Sequence, residues 1–389
     1  MSRYHSYLSS ATAILQSYDG AEPFVHFSRK FFAANKKFGS RDRKVIAALC
    51  YNYFRCYYLF AEKSVADRIL FAVFLCQFEP SDMLAAVAPD LNKDIHLPAQ
   101  DKLKLLNKNF LAILPQLSQV SSRLHSEYFS LSLLRQPHLY LRTRPGKKEA
   151  VLQKLEHAHL PFTQLGDDCV VLKNATSLQA VIKINREALV QDFNSQRVFD
   201  FLSNEYCVRM KQNAISAWDC CAASGGKSIL LYDRMNSRVQ LTVSDIRKSI
   251  LHNLQERLQA AGVPIYKAFE ADLLKGPPSQ IHDQFDLIIC DAPCTGSGTW
   301  SRTPEQLAFF KTEMIDNYSA RQTTIAGNAV SLLKKNGLFF YVTYSVFEKE
   351  NEQVVSKLSK LHGLTLLDER YYEGYEMQAD TLFVAVLTK

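Results

Sequence analysis

The chain has 389 residues, 47% of them apolar and 22% charged, with 14 Gly and 13 Pro. That is material for about two or three domains, and enough apolar content to exclude disorder as the main state. The most apolar run, Ile69 to Cys76, is far shorter than the roughly 20 residues a spanning helix needs.

The opening Met1-Ser-Arg-Tyr-His-Ser6 lacks the apolar run of a secretory signal. Nine cysteines, an odd number with Cys220 and Cys221 adjacent, do not form a disulfide framework, and no paired CxxC or CxxH clusters suggest structural zinc. These features point to a reducing, cytoplasmic setting. Net charge is +7, but residues 1–160 carry 22 Lys/Arg against 13 Asp/Glu, whereas 161–389 carry 24 against 26. The excess gathers at Arg29, Lys30, Lys36, Lys37, Arg41, Arg43 and Lys44, with a smaller group at Arg142, Arg144, Lys147 and Lys148. Such a stripe suits phosphates, and equally suits a solvated helix face.

Residues 1–135 read as helical. Ser40-Arg41-Asp42 starts a helix whose apolar positions Val45, Ile46, Leu49, Tyr53, Cys56, Tyr57 and Phe60 keep helical spacing. The spacing favours core positions for these tyrosines over base stacking. Residues 103–115 and 119–134 are further helical stretches. Around Gln136-Pro137 the pattern changes. Leu139 to Arg142, Asp168 to Leu172 and Ala180 to Ile184 read as strands, and Lys148 to His157 as a helix, giving a small α+β unit over 136–189.

From about 190 onward strands and helices alternate. Strands are expected at Ile215 to Asp219, Leu241 to Asp245, Ile265 to Phe269, Phe285 to Asp291, Leu338 to Thr343 and Thr381 to Leu387, with helices running to Arg234 and over Lys248 to Ala261. Alternation of this kind requires a mainly parallel sheet covered on both faces, with its ligand site at the carboxyl ends of the strands.

Those ends carry chemistry. Asp219-Cys-Cys-Ala-Ala-Ser-Gly-Gly-Lys-Ser228 follows the first strand, and its small residues let backbone approach a ligand ahead of a helix N-terminus. It is not a P-loop, which needs glycine at Cys221. Alone, a Gly-Gly turn also serves as a tight connection. Asp245 closes the second strand, 20 residues after Gly225, where an acid accepts ribose hydroxyls. Asp272 follows the third strand, placed to meet an adenine amino group. The fourth strand delivers Asp291 and Cys294 in Asp291-Ala-Pro-Cys-Thr-Gly-Ser-Gly298, where Pro293 holds Ala292 extended. Cys294 reads either as a buried structural thiol or as a thiol facing the cleft. Trp300, Arg302 and Pro304 follow, suited to steering a nucleotide or to packing the loop.

Residues 190–389 resemble the catalytic domain of the Sun (Fmu, RsmB-type) family of S-adenosylmethionine-dependent RNA cytosine-C5 methyltransferases. The resemblance rests on Val190-Gln-Asp-Phe-Asn-Ser-Gln196, Asp219 to Lys227, Asp291 to Gly298, Val342-Thr-Tyr-Ser345 and Glu350-Asn-Glu352. Phe38-Gly-Ser-Arg-Asp-Arg-Lys44 with Tyr51-Asn-Tyr-Phe-Arg55 resembles the NusB-like helical RNA-binding domain of some members. Tyr140-Leu-Arg-Thr-Arg-Pro145 resembles the start of their small RNA-recognition-like domain.

The resemblance implies an α/β protein in three parts. These are an all-α NusB-like domain over 1–135, the small α+β domain over 136–189, and a class I methyltransferase domain with a Rossmann-like seven-stranded sheet over 190–389. It implies S-adenosyl-L-methionine held by Cys221, Ala222, Ala223, Ser224, Gly225, Gly226, Lys227, Asp245, Asp272 and Asp291. It also implies RNA as substrate, ribosomal first and transfer RNA second; the residues themselves suggest no membrane span and no metal, and no obligate protein partner is inferred. Ser224 stands where the family has Pro, which is expected to loosen the turn slightly.

One departure touches the chemistry. Cytosine C5 becomes nucleophilic only after a thiolate adds to C6, aided by an acid near N3. The family's attacking cysteine lies in a Thr-Cys-Ser segment, and here that segment reads Thr343-Tyr344-Ser345. A phenol with a pKa of about 10 is a poor replacement. Three readings stay open: attack by Cys294 with Asp291 contacting the base, an arrangement resembling DNA cytosine methyltransferases; binding of RNA and cofactor without turnover; or methylation of another RNA atom.

Overall fold

A computed structural model describes residues 3–203 and 214–389. Its contacts divide the chain into two compact units, residues 1–136 with 299–312, and residues 137–298 with 313–389.

The first unit is helical. Its longer helices are Arg3–Ser17, Phe24–Ala34, Ser40–Arg55 and Val65–Cys76. Ser40–Arg55 starts where Asp42 accepts the Gly39 N–H at 2.9 Å, and its Ile46, Leu49, Cys50, Tyr53 and Phe54 face the core. Tyr53 is therefore a core residue, as its spacing predicts. Arg55 is buried at the end of this helix and holds the following segment together, donating to the carbonyls of Leu133 and Arg135 and to Gln136 Oε1. The stretches 103–115 and 119–134 are less helical than their apolar pattern predicts. The α-helices there are Ala99–Leu105 and Ser126–Ser132, with single 3₁₀ turns at Phe110–Ala112 and Leu117–Gln119. Asn107 at φ +53 and Pro115 interrupt the pattern.

The segment 299–312 belongs to this helical unit. Ala308 enters its core, Phe309 meets the Tyr18 ring edge-on at 5.3 Å, and Trp300 is buried with its ring 4.8 Å from that of Phe310. Trp300 packs the loop, so it has no face free for a nucleotide.

In the second unit, β1 (Leu139–Thr143), β2 (Phe162–Leu165), β3 (Cys169–Leu172) and β4 (Ala188–Val190) form an antiparallel sheet in the order β2-β3-β1-β4. Helix Lys148–His157 covers it through Val151 and Leu155. The strand expected at Ala180 to Ile184 is a turn; the pairing strand is β4, because Leu178 and Ile182 reach the core from a turn.

The main sheet has seven strands: β5 (Ile215–Asp219), β6 (Val239–Asp245), β7 (Lys267–Glu270), β8 (Phe285–Asp291), β9 (Leu333–Thr343), β10 (Thr365–Tyr372) and β11 (Leu382–Thr388). Their order is β10-β11-β9-β8-β5-β6-β7, parallel from β9 to β7 and antiparallel at β11. Alternate residues serve two cores. Ala217, Leu241, Val243, Leu287, Ile289 and Val342 lie on one face with helices Gly226–Arg234 and Lys248–Ala260. Trp218, Ile288, Cys290, Phe339 and Tyr341 lie on the other with Glu313–Val330 and Glu352–His362. This is the mainly parallel, Rossmann-like seven-stranded sheet that the resemblance implies. Strand order reverses between β5 and β8, which locates the ligand crevice at their carboxyl ends. No helix among the described residues is long and apolar enough to cross a membrane.

The two arginines at 142 and 144 do not join a phosphate-facing stripe. Both are buried in β1 and its exit, where Arg142 Nη1 lies 2.6 Å and Arg144 Nε 2.9 Å from Asp233 carboxylate oxygens on helix Gly226–Arg234. Exposed cations of the front half remain at Arg29, Lys30, Lys36, Lys37, Arg41 and Lys44.

Candidate functional site

The turn after β5 is set by glycine. Gly225 has φ +78, and a Cβ there would sit 2.4 Å from Leu254 Cδ1, so the turn can close against helix Lys248–Ala260 only without a side chain. The Ala222 N–H donates to the Ser244 carbonyl and the Ala223 N–H to Asp245 Oδ2, fastening the loop to the end of β6. Ser224 does not leave the turn loose: its Oγ and carbonyl both accept from Arg257 Nη1, at 2.8 and 2.9 Å.

A cavity of about 410 Å³ opens at the carboxyl ends of β5, β6, β7 and β8. The expected site residues Cys221, Ala223, Asp245, Asp272, Asp291 and Cys294 line it, together with Tyr344 beyond β9. Ala222, Ser224, Gly225, Gly226 and Lys227, expected to hold the cofactor, are not among its lining residues; Ser224 turns toward Arg257 and Lys227 is buried against Asp291. Sequence reasoning did not anticipate Ile246, Arg247, Leu273, Arg321 and Ile325 in the lining. The helical pattern of 313–330, with Ile325 on its buried face, is the signal that would have placed the last two.

The acids differ in their surroundings. Asp245 is buried, and both its oxygens also accept from Arg247, whose side chain is mostly exposed. Asp272 accepts the Leu274 N–H on Oδ1 at 3.1 Å, has Lys275 Nζ 3.5 Å from Oδ2, and lines the cavity. Asp291 pairs with the buried Lys227 at 2.6 Å. Burial opposes the charge on Lys227, but the Asp291 carboxylate outweighs it and holds the ammonium above its ordinary pKa. The Lys227 Nζ also lies 3.5 Å from the Tyr344 hydroxyl and 4.7 Å from the centre of its ring. Burial pushes the Tyr344 phenol up to about 12, so it is protonated at neutral pH. Beneath β5, Asp219 accepts from Ser228 Oγ at 2.6 Å, and burial pushes its carboxyl up to about 7.

Glu350 organises the far wall. Fully buried, it accepts from the Thr295 hydroxyl and N–H, the Ser345 hydroxyl and the Gln322 amide, tying the loop of Cys294 to the loop of Tyr344. Asn351 adds bonds to the Ser345 carbonyl and the Thr343 hydroxyl. The sequence flags Glu350-Asn-Glu352 only as a matching segment; its function as a clamp emerges from the fold. Cys294 is half-exposed to the cavity. Desolvation beneath it, then the Glu350 carboxylate, raise its thiol above the ordinary range.

The family model for 16S rRNA methyltransferase RsmB/F matches residues 207–383. The probable ribosomal RNA small subunit methyltransferase B of Bacillus subtilis is 28% identical over 201 residues, 51% of this chain and 43% of that protein. The ribosomal RNA small subunit methyltransferase F of Aeromonas salmonicida is 30% identical over 145 residues, 37% of this chain and 30% of that protein. The chain thus spans less than half the length of either relative. Among solved structures, PH0851 covers 98% of both chains with a TM-score of 0.74 at 18% identity. NSun6 from Pyrococcus horikoshii, with SFG, covers 71% of this chain and 97% of that one, with a TM-score of 0.61 at 14% identity. At such identities the structural likeness is one of fold.

Proposed function

Because the family model for 16S rRNA methyltransferase RsmB/F matches residues 207–383, we propose that this chain is an S-adenosylmethionine-dependent cytosine-C5 methyltransferase of ribosomal RNA in which Cys294 is the attacking thiol. The observation that carries the reading is the shared cavity, which brings Asp245, Asp272, Asp291, Cys294 and Tyr344 to one surface.

The cavity fits a nucleoside cofactor. Asp245 stands at the end of β6 for ribose hydroxyls, Asp272 after β7 for an adenine amino group, and Ile246, Leu273 and Pro293 supply apolar walls. The four lone pairs of Asp245 are taken by the Ala223 N–H and by the N–H, Nε and Nη2 of Arg247, so a ribose hydroxyl would take the place of the exposed Arg247 side chain. The cofactor, when bound, supplies an electrophilic methyl group.

The chain's own residues do the rest. The Cys294 sulfur adds to C6 of a flipped or single-stranded cytosine, with Asp291 and its partner Lys227 beside N3. After methyl transfer a base takes the C5 proton, the C6–S bond breaks, and the thiol is restored. Since Cys294 is protonated at neutral pH in the free protein, attack requires proton loss on docking, and turnover rises with pH through the alkaline range. The exposed cations of the helical unit supply phosphate contacts and a salt-dependent affinity.

A second reading, binding without turnover, is favoured by the protonated Tyr344 phenol on the same cavity wall. RNA carrying 5-fluorocytosine separates the two. A covalent adduct lost in Cys294→Ala supports the first; no adduct, and no transfer of labelled methyl to ribosomal or transfer RNA, supports the second.

A further inference from the structure

Three cysteine sulfurs meet under the cavity floor. Cys220 and Cys221 follow β5, Cys290 lies one residue before the end of the neighbouring β8, and their Sγ atoms all lie within 4.8 Å of one another. The Cys220 N–H bonds the Ile289 carbonyl, which fixes the pair against β8. Cys220 and Cys290 are buried, while Cys221 is half-exposed, and both Cys220 and Cys221 line the cavity. Neither thiol chemistry nor the methyl-transfer reading requires this grouping, since Cys294 stands apart on its own loop.

We propose that Cys220, Cys221 and Cys290 form a three-thiol site for a thiophilic element that takes three sulfur ligands, trivalent arsenic being the species that fits best.

The size is right. A centre bound to three sulfurs at roughly 2.3 Å sets them about 3–4 Å apart, inside the 4.8 Å that bounds the spacing present. Only sulfur is offered, which excludes hard cations such as magnesium and calcium. Among the described residues no histidine or carboxylate completes the cluster as a fourth ligand, as tetrahedral structural zinc requires. Charge then selects among soft species: three thiolates around a monovalent or divalent ion would leave net negative charge in a buried site. Arsenite avoids that: As(OH)₃ and three thiols give As(S-Cys)₃ and three waters, three As–O and three S–H bonds breaking as three As–S and three water O–H bonds form, with no net charge and no redox change. Entry is through the cavity, past Cys221.

The test is intact-mass spectrometry of the full chain treated with sodium arsenite under native conditions, followed by alkylation and peptide mapping. The expected result is one adduct with the mass of an arsenic less three hydrogens, and protection of Cys220, Cys221 and Cys290 from alkylation. Cys56 and Cys76, whose sulfurs lie 4.0 Å apart in the helical unit, provide only two thiols, and their alkylation is the same with and without arsenite. C290S is expected to lower arsenite affinity at least tenfold, whereas C56S and C169S leave it unchanged. Absence of the adduct from the parent protein, or protection of any other set of cysteines, overturns the proposal without reference to a variant that folds poorly.

Discussion

Gly298 closes the loop that carries Cys294, and replacing it with alanine tests how that loop is held. A Cβ at Gly298 would lie 1.9 Å from the Thr381 carbonyl oxygen, 2.9 Å from its carbon and 3.1 Å from the Tyr344 oxygen. Real contacts of this kind do not fall below 3.0 Å, so more than 1 Å must open, and the obstacle is backbone, which cannot rotate aside. Opening it stretches two buried hydrogen bonds, Gly298 N–H to the Tyr344 carbonyl at 2.8 Å and Thr381 N–H to the Gly298 carbonyl at 3.0 Å. Overpacking costs about 1–3 kcal/mol and each bond contributes about 0.5–1.5 kcal/mol, giving a loss of about 2–6 kcal/mol. Gly166→Ala is the comparison: its φ of +56 is strained, but nothing lies within 4 Å, so about 1 kcal/mol is expected. At about 2–4 °C per kcal/mol for a unit of this size, Gly298→Ala should melt roughly 5–20 °C lower and Gly166→Ala only about 2–4 °C lower. Differential scanning calorimetry on the full chain reads both. A Gly298→Ala protein that melts no lower than Gly166→Ala would show that the wedge between β11 and the Tyr344 loop is not real.

Three more outcomes follow from buried charge. Asp219, pushed up to about 7 by burial, contributes stability that is complete below its unfolded pKa of about 4 and lost as pH rises through 7, up to about 4 kcal/mol; Asp219→Asn should flatten that decline in urea titrations between pH 5 and 8, and an unchanged slope counts against it. Asp233→Ala strands the guanidiniums of Arg142 and Arg144 and should destabilise by about 3–5 kcal/mol, with the double change Asp233→Ala, Arg142→Met recovering part of the loss in chemical denaturation. Glu350→Ala leaves the Thr295, Ser345 and Gln322 donors without their acceptor and should cost about 3 kcal/mol or more; maleimide labelling of Cys294 should accelerate at least tenfold as its loop loosens, and an unchanged rate would remove Glu350 from that clamp.

The strands that build the cavity were legible because each is a short apolar run ending in an acid or a small residue: β5 and β8 begin and end where the sequence places them. β10 was missed because Asp368, Glu369 and Arg370 interrupt its pattern on an exposed edge. The acids at 245, 272 and 291 could be assigned to one cavity from strand order alone, since parallel strands deliver their ends to one side. The partners of those acids could not. The Lys227–Asp291 pair spans 64 residues and the Thr295–Glu350 bond spans 55, so neither has a local signal. The basic count misled at Arg142 and Arg144 because composition does not distinguish a charge facing solvent from one buried against a carboxylate.

The helical unit draws part of its interior from a stretch that follows it by more than 160 residues in the chain. Dissection at the boundary near residue 136 is therefore not a clean cut. A fragment beginning at 137 would carry Trp300, Leu307, Ala308 and Phe310 stripped of the surroundings that bury them. The amino-terminal piece would in turn lack the side chains that complete its own interior. Each half should precipitate when expressed alone, and co-expression, or excision of 299–312 behind a short glycine bridge, should restore solubility.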